Sequence, residues 1–434
     1  MPERPTGRLS AIARRIVPLE PGELAPVAWA FAQFMCVLTA TFVLRAVREE
    51  MGIAGGVKKL QWLFTATFVV TIAIVPAYGW AAARMGRRVL NVVIYCALAA
   101  SMLGFWAAFA LAPEALTPWI SRAAFVWLSV INMIAVAACW SAIVDIFTPA
   151  QGHRVFGFVA AGGTVGALLG PMLALVLAET VVHLPIFGAS ALAFVAAAGC
   201  ALALDRTVEG RPGVAAGTRP VGGGILEGLR AVARPGPLRG IAIYIALYTT
   251  TSTVIYIGLQ APIVDAAIAD PDARTAWFAR IDLAVNVLAL AAQLAFTGAL
   301  LRRMALAAVL VVLPLVTIGS FVALAAWPTL GALAIAQTIR RACEHAVAKP
   351  GRELLYASLD RDAKYKGQNA VDTVVYRASD AVSAWLVRWV ADAVASLSGV
   401  VWAFGPVAIV WVWWGWKLGR ASACAVDSAR QPVA

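Results

Sequence analysis

Arginines, lysines and carboxylates crowd one stretch of an otherwise apolar chain: between Arg340 and Asp380 stand fourteen of its fifty-eight charged residues. Groups of these types bind anions, exchange protons or lock to one another as ion pairs. Arg340, Arg341, Glu344 and His345 fall within about 140° of a helix at 100° per residue, and the i,i+4 spacing of Arg340 and Glu344 suits pairing. Two readings follow. Either the cluster neutralises itself and binds nothing, or one guanidinium holds an anion while Glu344 or His345, the latter titrating near neutral pH, takes up protons. Further along, Asp372, Tyr376, Ser379, Asp380 and Ser383 share a stripe about 100° wide, with Arg377, Arg388 and Asp392 on another face. The two acids of that stripe suit a proton or cation site, or ion pairing with Arg340, Arg341 or Arg45.

The elements that must position these groups are membrane helices. The chain has 434 residues, 62% of them hydrophobic and only 13% charged, with mean hydropathy +0.82; about 25% charged is usual for a soluble domain. Apolar runs long enough to cross a bilayer core of about 30 Å recur at 26–46, 61–82, 89–111, 121–147, 155–178 and 181–204, then at 238–264, 279–301, 305–326, 329–348, 368–395 and 399–416. The expectation is an all-α membrane protein of about twelve helices in two six-helix halves. The runs lack the period-two alternation of a transmembrane barrel. A charge at the centre of a membrane segment costs about 2.5 to 3.5 kcal/mol on insertion scales, so the tenth and eleventh spans have a polar pathway to line.

Arg and Lys also give orientation. Arg4, Arg8, Arg14 and Arg15 precede the first span, Arg84, Arg87 and Arg88 follow the second, Arg154 follows the fourth, and residues 205–239 hold six more arginines. By the positive-inside rule both termini are cytoplasmic. Residues 1–25 then form an N-terminal tail, 26–204 and 238–416 the two bundles, 205–237 a Gly-, Pro- and Arg-rich cytoplasmic linker, and 417–434 a tail. The net charge of +12 is a topology signal and an attraction to membrane lipid; the arginines are spread over loops and do not suggest nucleic-acid binding. Six scattered cysteines and three histidines make no disulfide framework, metal ligand set or cofactor site. No GxxxxGK[ST], HExxH or GxSxG occurs, so no enzyme is expected.

Six plus six spans with a long central loop is the ground plan of the major facilitator superfamily, whose halves are parallel repeats. Internal echoes are faint: GWAAARMGRR from Gly79 and GALLRRMA from Gly298 each follow the second span of a half. The first resembles the superfamily's G-x-x-x-D-R-x-G-R-R loop, with Ala83 in place of its Asp. In the fifth span Gly162, Gly166, Gly170 and Pro171 form a small-residue ridge suited to close helix packing.

Several blocks resemble one family. TFVLRAVREEMG (Thr41 to Gly52) is similar to the L-R-x-x-[KR]-[DE] block of the ATP/ADP translocase (nucleotide transporter) family. KPGRELLYASLDRDAKYKGQNAVDTVVYR (Lys349 to Arg377) is similar to that family's P-x-[KR]-E…L-D-x-[DE]-x-K-x-K-[GA]-K-x-x-[ID]-x-V segment. WLFTATF from Trp62, and the helix with Trp140 and Asp145 followed by Arg154, fit as well. The resemblance covers most of the chain. It implies a multi-pass transporter of the bacterial inner membrane that moves a nucleotide or another anionic phosphorylated metabolite by exchange or proton symport. The chain departs from nucleotide exchangers at three places: Asp380 and Glu344 stand where those carry bases, and Leu128 where they carry an acid.

Substrate contacts are therefore expected at Arg45, Arg48, Arg340, Arg341, Tyr244, Tyr248, Asn286 and Tyr376, and coupling at Glu344, His345, Asp372 and Asp380. Gate ion pairs are expected from Arg84, Arg87, Arg88, Asp145, Arg154, Arg352, Glu353, Lys364 and Lys366. The partners are a small anion and protons, and the protein is expected to be monomeric. The alternatives are a proton-coupled major facilitator carrier for a different organic solute, and a non-transporting membrane scaffold or sensor.

Overall fold

The computed structural model of the protein describes residues 20, 22–180, 184–208, 225–234, 236–357, 359, 367–394 and 396–430. Its elements are helices. Those corresponding to the first six spans are α1 (Leu24–Ala54), α2 (Leu60–Arg84), α3 (Arg87–Leu111), α4 (Thr117–Ile146), α5 (Pro149–Thr180) and α6 (Leu184–Val208). A short α7 (Ile225–Ala233) follows. The last six spans correspond to α8 (Pro237–Ala267), α9 (Pro271–Arg303), α10 (Leu306–Ala326), α11 (330–357), α12 (367–394) and α13 (Leu397–Arg430). Among the described residues ten helices are long and apolar enough to span a bilayer. The two long helices outside that set, α11 and α12, are the ones that carry the charged run, which lowers their hydropathy. Helix α13 runs on past 416, where a tail was expected, to Arg430.

Local sequence sets the helix starts. Asp270 caps α9, its carboxylate accepting from the Ala273 N–H at 2.7 Å, with Pro271 just inside the first turn. Thr329 caps α11 through Ala332 N–H at 3.3 Å. Large apolar side chains cover the outside of the helices: Leu294 is 80% and Trp402 72% exposed. That much apolar exterior needs hydrocarbon around it.

The helices divide into two compact units. The first comprises Met1–Arg48, Ile74–Ile120 and Trp127–Pro220. Here the glycine ridge of α5 lies against the backbone of α1: a Cβ on Gly162 would stand 2.5 Å from the Phe31 carbonyl oxygen, and one on Gly166 2.3 Å from that of Met35. Only glycine permits so close an approach. Ser190 Oγ donates to the Ala40 carbonyl at 2.9 Å, tying α6 to α1, and Gln33 Nε2 donates to Tyr95 Oη at 3.2 Å, tying α1 to α3.

The second unit comprises Glu49–Ala73, Ser121–Val126 and Val221–Ala434. Its core packs Tyr244, Ile245, Leu310, Leu313, Tyr356 and Trp411. The Trp62 and Trp385 rings lie edge to face at 4.8 Å, and Trp385 Nε1 donates to Thr65 Oγ1 at 3.1 Å. Among the described residues four π-helical turns interrupt its helices: Val254–Gln260 in α8, Gln293–Thr297 in α9, Glu344–Ala348 in α11 and Val371–Val375 in α12. Such turns are rare and concentrate at functional sites. That of α9 caps that of α11. Thr297 Oγ1 donates to the Ala346 carbonyl at 2.9 Å and Gln293 Nε2 to the His345 carbonyl at 3.1 Å, satisfying oxygens that a π turn releases from the α pattern.

Candidate functional site

The densest polar cluster of the second unit is built on α8, α11 and α12. Arg340, only 6% exposed, donates from Nη1 to Ser252 Oγ at 2.9 Å and from Nη2 to Gln337 Oε1 at 3.1 Å. Gln337 in turn donates through Nε2 to Gln260 Oε1. Both of those Arg340 hydrogen bonds go to neutral groups, and its Nε has no hydrogen-bond partner. Neither of these partners offsets the charge of the guanidinium.

The other charges around it are paired. Arg341 Nη2 reaches Asp282 Oδ1 of α9 at 2.5 Å, and Glu344 Oε1 stands 3.6 Å from Arg352 Nη1 across the π turn of α11. Asp380 accepts from Thr253 Oγ1 at 2.7 Å and lies 3.6 Å from Arg377 Nη1. Ser383 Oγ donates to Thr250 Oγ1 at 2.8 Å. The rings of Tyr248 and Tyr376 lie 6.2 Å apart.

These contacts differ from the sequence expectation in three places. Arg340 takes neutral partners, and the Glu344 salt bridge runs to Arg352, because the π turn opening at Glu344 advances the helix by less than 100° per residue. Arg377, placed by the wheel on a different face from Asp380, pairs with it all the same, since i,i+3 residues are neighbours and an arginine is long. Tyr244 is a core residue: its hydroxyl donates to the Leu310 carbonyl at 2.8 Å and its ring packs on Trp411.

In the first unit Arg45 is half-buried with its guanidinium 5.7 Å from the Phe42 ring centroid, and Arg48 is half-buried one turn on. The Thr41 hydroxyl is turned back onto its own helix, donating to the Val37 and Leu38 carbonyls.

Neither a family model nor a curated protein matches the sequence. Solved structures do match. The chain is similar to the human organic anion transporter MFSD10 (TM-score 0.60, 14% identity, 92% of this chain and 100% of that one). It is also similar to a POT family transporter in complex with a thioalcohol-conjugated peptide (0.63, 12%, 89% and 94%). A third match is a bacterial homologue of the iron transporter ferroportin (0.63, 10%, 93% and 98%). The fold is that of the major facilitator transporters.

The residues expected to form gate ion pairs are distributed over this major facilitator fold as follows. Arg84 is exposed, 4.4 Å from the Trp80 ring, and Arg88 is exposed beside it. Arg87 pairs with Asp205 at 3.0 Å, joining α3 to α6, and Arg154 pairs with Glu20 and Glu23 at 2.9 and 3.0 Å. Asp145 is exposed. Glu353 accepts from Gln368 Nε2 at 3.2 Å. Lys364 and Lys366 lie outside the described residues. Asn286 and His345 are half-buried, and Asp372 is exposed. Gln260, Gln337 and Thr253, absent from the sequence-derived set, join the cluster. Their signal was available as amide and hydroxyl side chains inside apolar spans.

The Arg341 to Asp282 pair is expected to be a stability element. Asp282→Ala leaves a charge without its partner in a dry interior, a loss of about 3 to 5 kcal/mol for such pairs, whereas Asp282→Leu with Arg341→Leu recovers most of it. Thermal unfolding in detergent of the native protein, Asp282→Leu, Arg341→Leu and the double leucine variant checks this; additive losses would sink the pairing.

Proposed function

We propose that the protein is a proton-coupled carrier of the major facilitator type that moves a small organic anion, with Arg340 as the anchor for the anionic group. The carrying observation is a buried guanidinium held in place by Ser252 and Gln337 with no carboxylate hydrogen-bonded to it among the described residues. Serine and glutamine orient the planar fork without cancelling its charge, so an incoming carboxylate or phosphate supplies the missing counter-charge. The paired rings of Tyr248 and Tyr376 suit the organic body of the solute. The likeness to an organic anion transporter supports the same reading.

Within that class, the blocks at Thr41 to Gly52 and Lys349 to Arg377 favour a phosphorylated solute. The acids Glu344 and Asp380, standing where nucleotide exchangers carry bases, favour an anion smaller than a nucleotide, moved with protons. Glu344 and Asp380 each face an arginine, so protonation of either carboxylate frees a guanidinium. We assign coupling to these two acids, and a share of anion handling in the first unit to Arg48.

Uptake into proteoliposomes with a panel of organic anions and nucleotides, with and without a pH gradient, tests this. Anion counterflow in the native protein, reduced in Arg48→Ala, is expected. Glu344→Gln or Asp380→Asn should abolish acceleration by the pH gradient while leaving counterflow at equal pH. Movement of no anion would return the protein to the scaffold reading. Gradient-independent uptake would remove the proton but leave the anion site.

A further inference from the structure

Three helices of the second unit meet beside Gly419. A Cβ there would stand 2.3 Å from Ala307 Cα near the start of α10, and one on Gly240 of α8 would stand 2.8 Å from Leu418 of α13. Trp414 Nε1 donates to the Gly240 carbonyl at 2.9 Å. These close approaches hold the first turns of α8 and α10 against the Leu418–Gly419 stretch of α13. Cations flank each of them: Arg239 precedes Gly240, Arg302 and Arg303 close α9 shortly before Ala307, and Lys417 and Arg420 bracket Gly419. All five are exposed, and among the described residues none of them forms a salt bridge.

Helix α13 adds an apolar half to this rim. Trp413, Trp416, Lys417 and Arg420, at i, i+3, i+4 and i+7, share one face. Trp413 is 55% and Trp416 47% exposed, and the Lys417 ammonium lies 5.1 Å from the Trp413 ring centroid and 5.5 Å from that of Trp414. Indoles below and cations above match the acyl-carbonyl and phosphate levels of a lipid leaflet.

We propose that this rim is a binding site for one anionic phospholipid, its phosphodiester held by Lys417 and Arg420 and flanked by Arg239, Arg302 and Arg303, its glycerol region lying against Trp413 and Trp416. A zwitterionic headgroup is disfavoured there, because its ammonium would meet only cations among the described side chains. The fixed convergence of two helix starts on one turn of α13 distinguishes the site from the diffuse attraction of a basic loop.

Native mass spectrometry of the full chain in detergent, titrated with phosphatidylglycerol, cardiolipin, phosphatidylethanolamine or glycerol 3-phosphate, tests the proposal. The native protein should retain one phosphatidylglycerol or cardiolipin. Lys417→Gln with Arg420→Gln should bind it about 25-fold more weakly, at about five-fold per cation. Trp413→Leu with Trp416→Leu should lose several-fold, whereas Lys417→Arg with Arg420→Lys should keep the lipid. Lys58→Gln with Lys59→Gln, which removes two exposed cations elsewhere, should match the native protein. Native retention in the Lys417/Arg420 glutamine variant, or equal retention of phosphatidylethanolamine, would overturn the site. Glycerol 3-phosphate binding as tightly as the lipids would also overturn it, making it a site for soluble phosphates.

Discussion

Arg340→Gln is expected to lower anion uptake by about 100-fold or more. A guanidinium fork offers a carboxylate or phosphate two charge-assisted hydrogen bonds, each worth about 1.5 to 3 kcal/mol, and about 1.4 kcal/mol is a factor of ten. Glutamine is neutral and smaller than arginine, so it leaves no unpaired charge and the fold should persist with an unchanged elution profile. Arg340→Lys restores charge without the planar fork, and about tenfold of the loss should remain. Initial uptake rates over a range of anion concentrations decide it; a glutamine variant within threefold of native would show that the guanidinium does not carry the substrate.

The second large effect concerns stability. Gly166→Ala should severely destabilise the first unit, because the added Cβ would stand 2.3 Å from the Met35 carbonyl oxygen and 3.0 Å from the Thr39 backbone nitrogen. Neither is a side chain that can swing aside, so α1 and α5 must separate along the ridge. Overpacking of this kind costs about 1 to 3 kcal/mol or more. Gly157, on the same helix, has open space where a Cβ would go, and Gly157→Ala should be neutral or stabilising by up to about 1 kcal/mol. Unfolding temperatures in detergent check the contrast. Equal temperatures for the two variants would mean that the ridge does not bear the packing.

Much of this architecture is legible in the sequence, for physical reasons. Bilayer crossing demands long apolar runs, so the helices stand out. The ridge of Gly162, Gly166 and Gly170 announces close packing through side-chain size alone. The charged run likewise marks α11 and α12. Pairing partners were less accessible. Arg340 and Glu344 sit at ideal α spacing, yet the Glu344 salt bridge goes to Arg352, because a π turn intervenes and no composition rule marks one. Asp282 and Arg341 lie on different helices, and their meeting depends on the tertiary packing of α9 against α11. Tyr244 shows the opposite error: a polar aromatic on a promising face whose hydroxyl is consumed by a backbone carbonyl.

The π turns also bear on descent. Each holds one residue more than the α turn it would replace, so each shifts the helical register of the second bundle by one position. All four described π turns fall within 254–375, and the described helices of 24–208 contain none. An ungapped comparison of the two bundles therefore slips by one position at every such turn and loses the correspondence it has just established. An echo as faint as that between Gly79 to Met85 and Gly298 to Met304 is what such slips would leave. Duplicated halves of this chain should align once one-residue gaps are opened at those four places, and single-residue deletions should be better tolerated there than in any other helix interior.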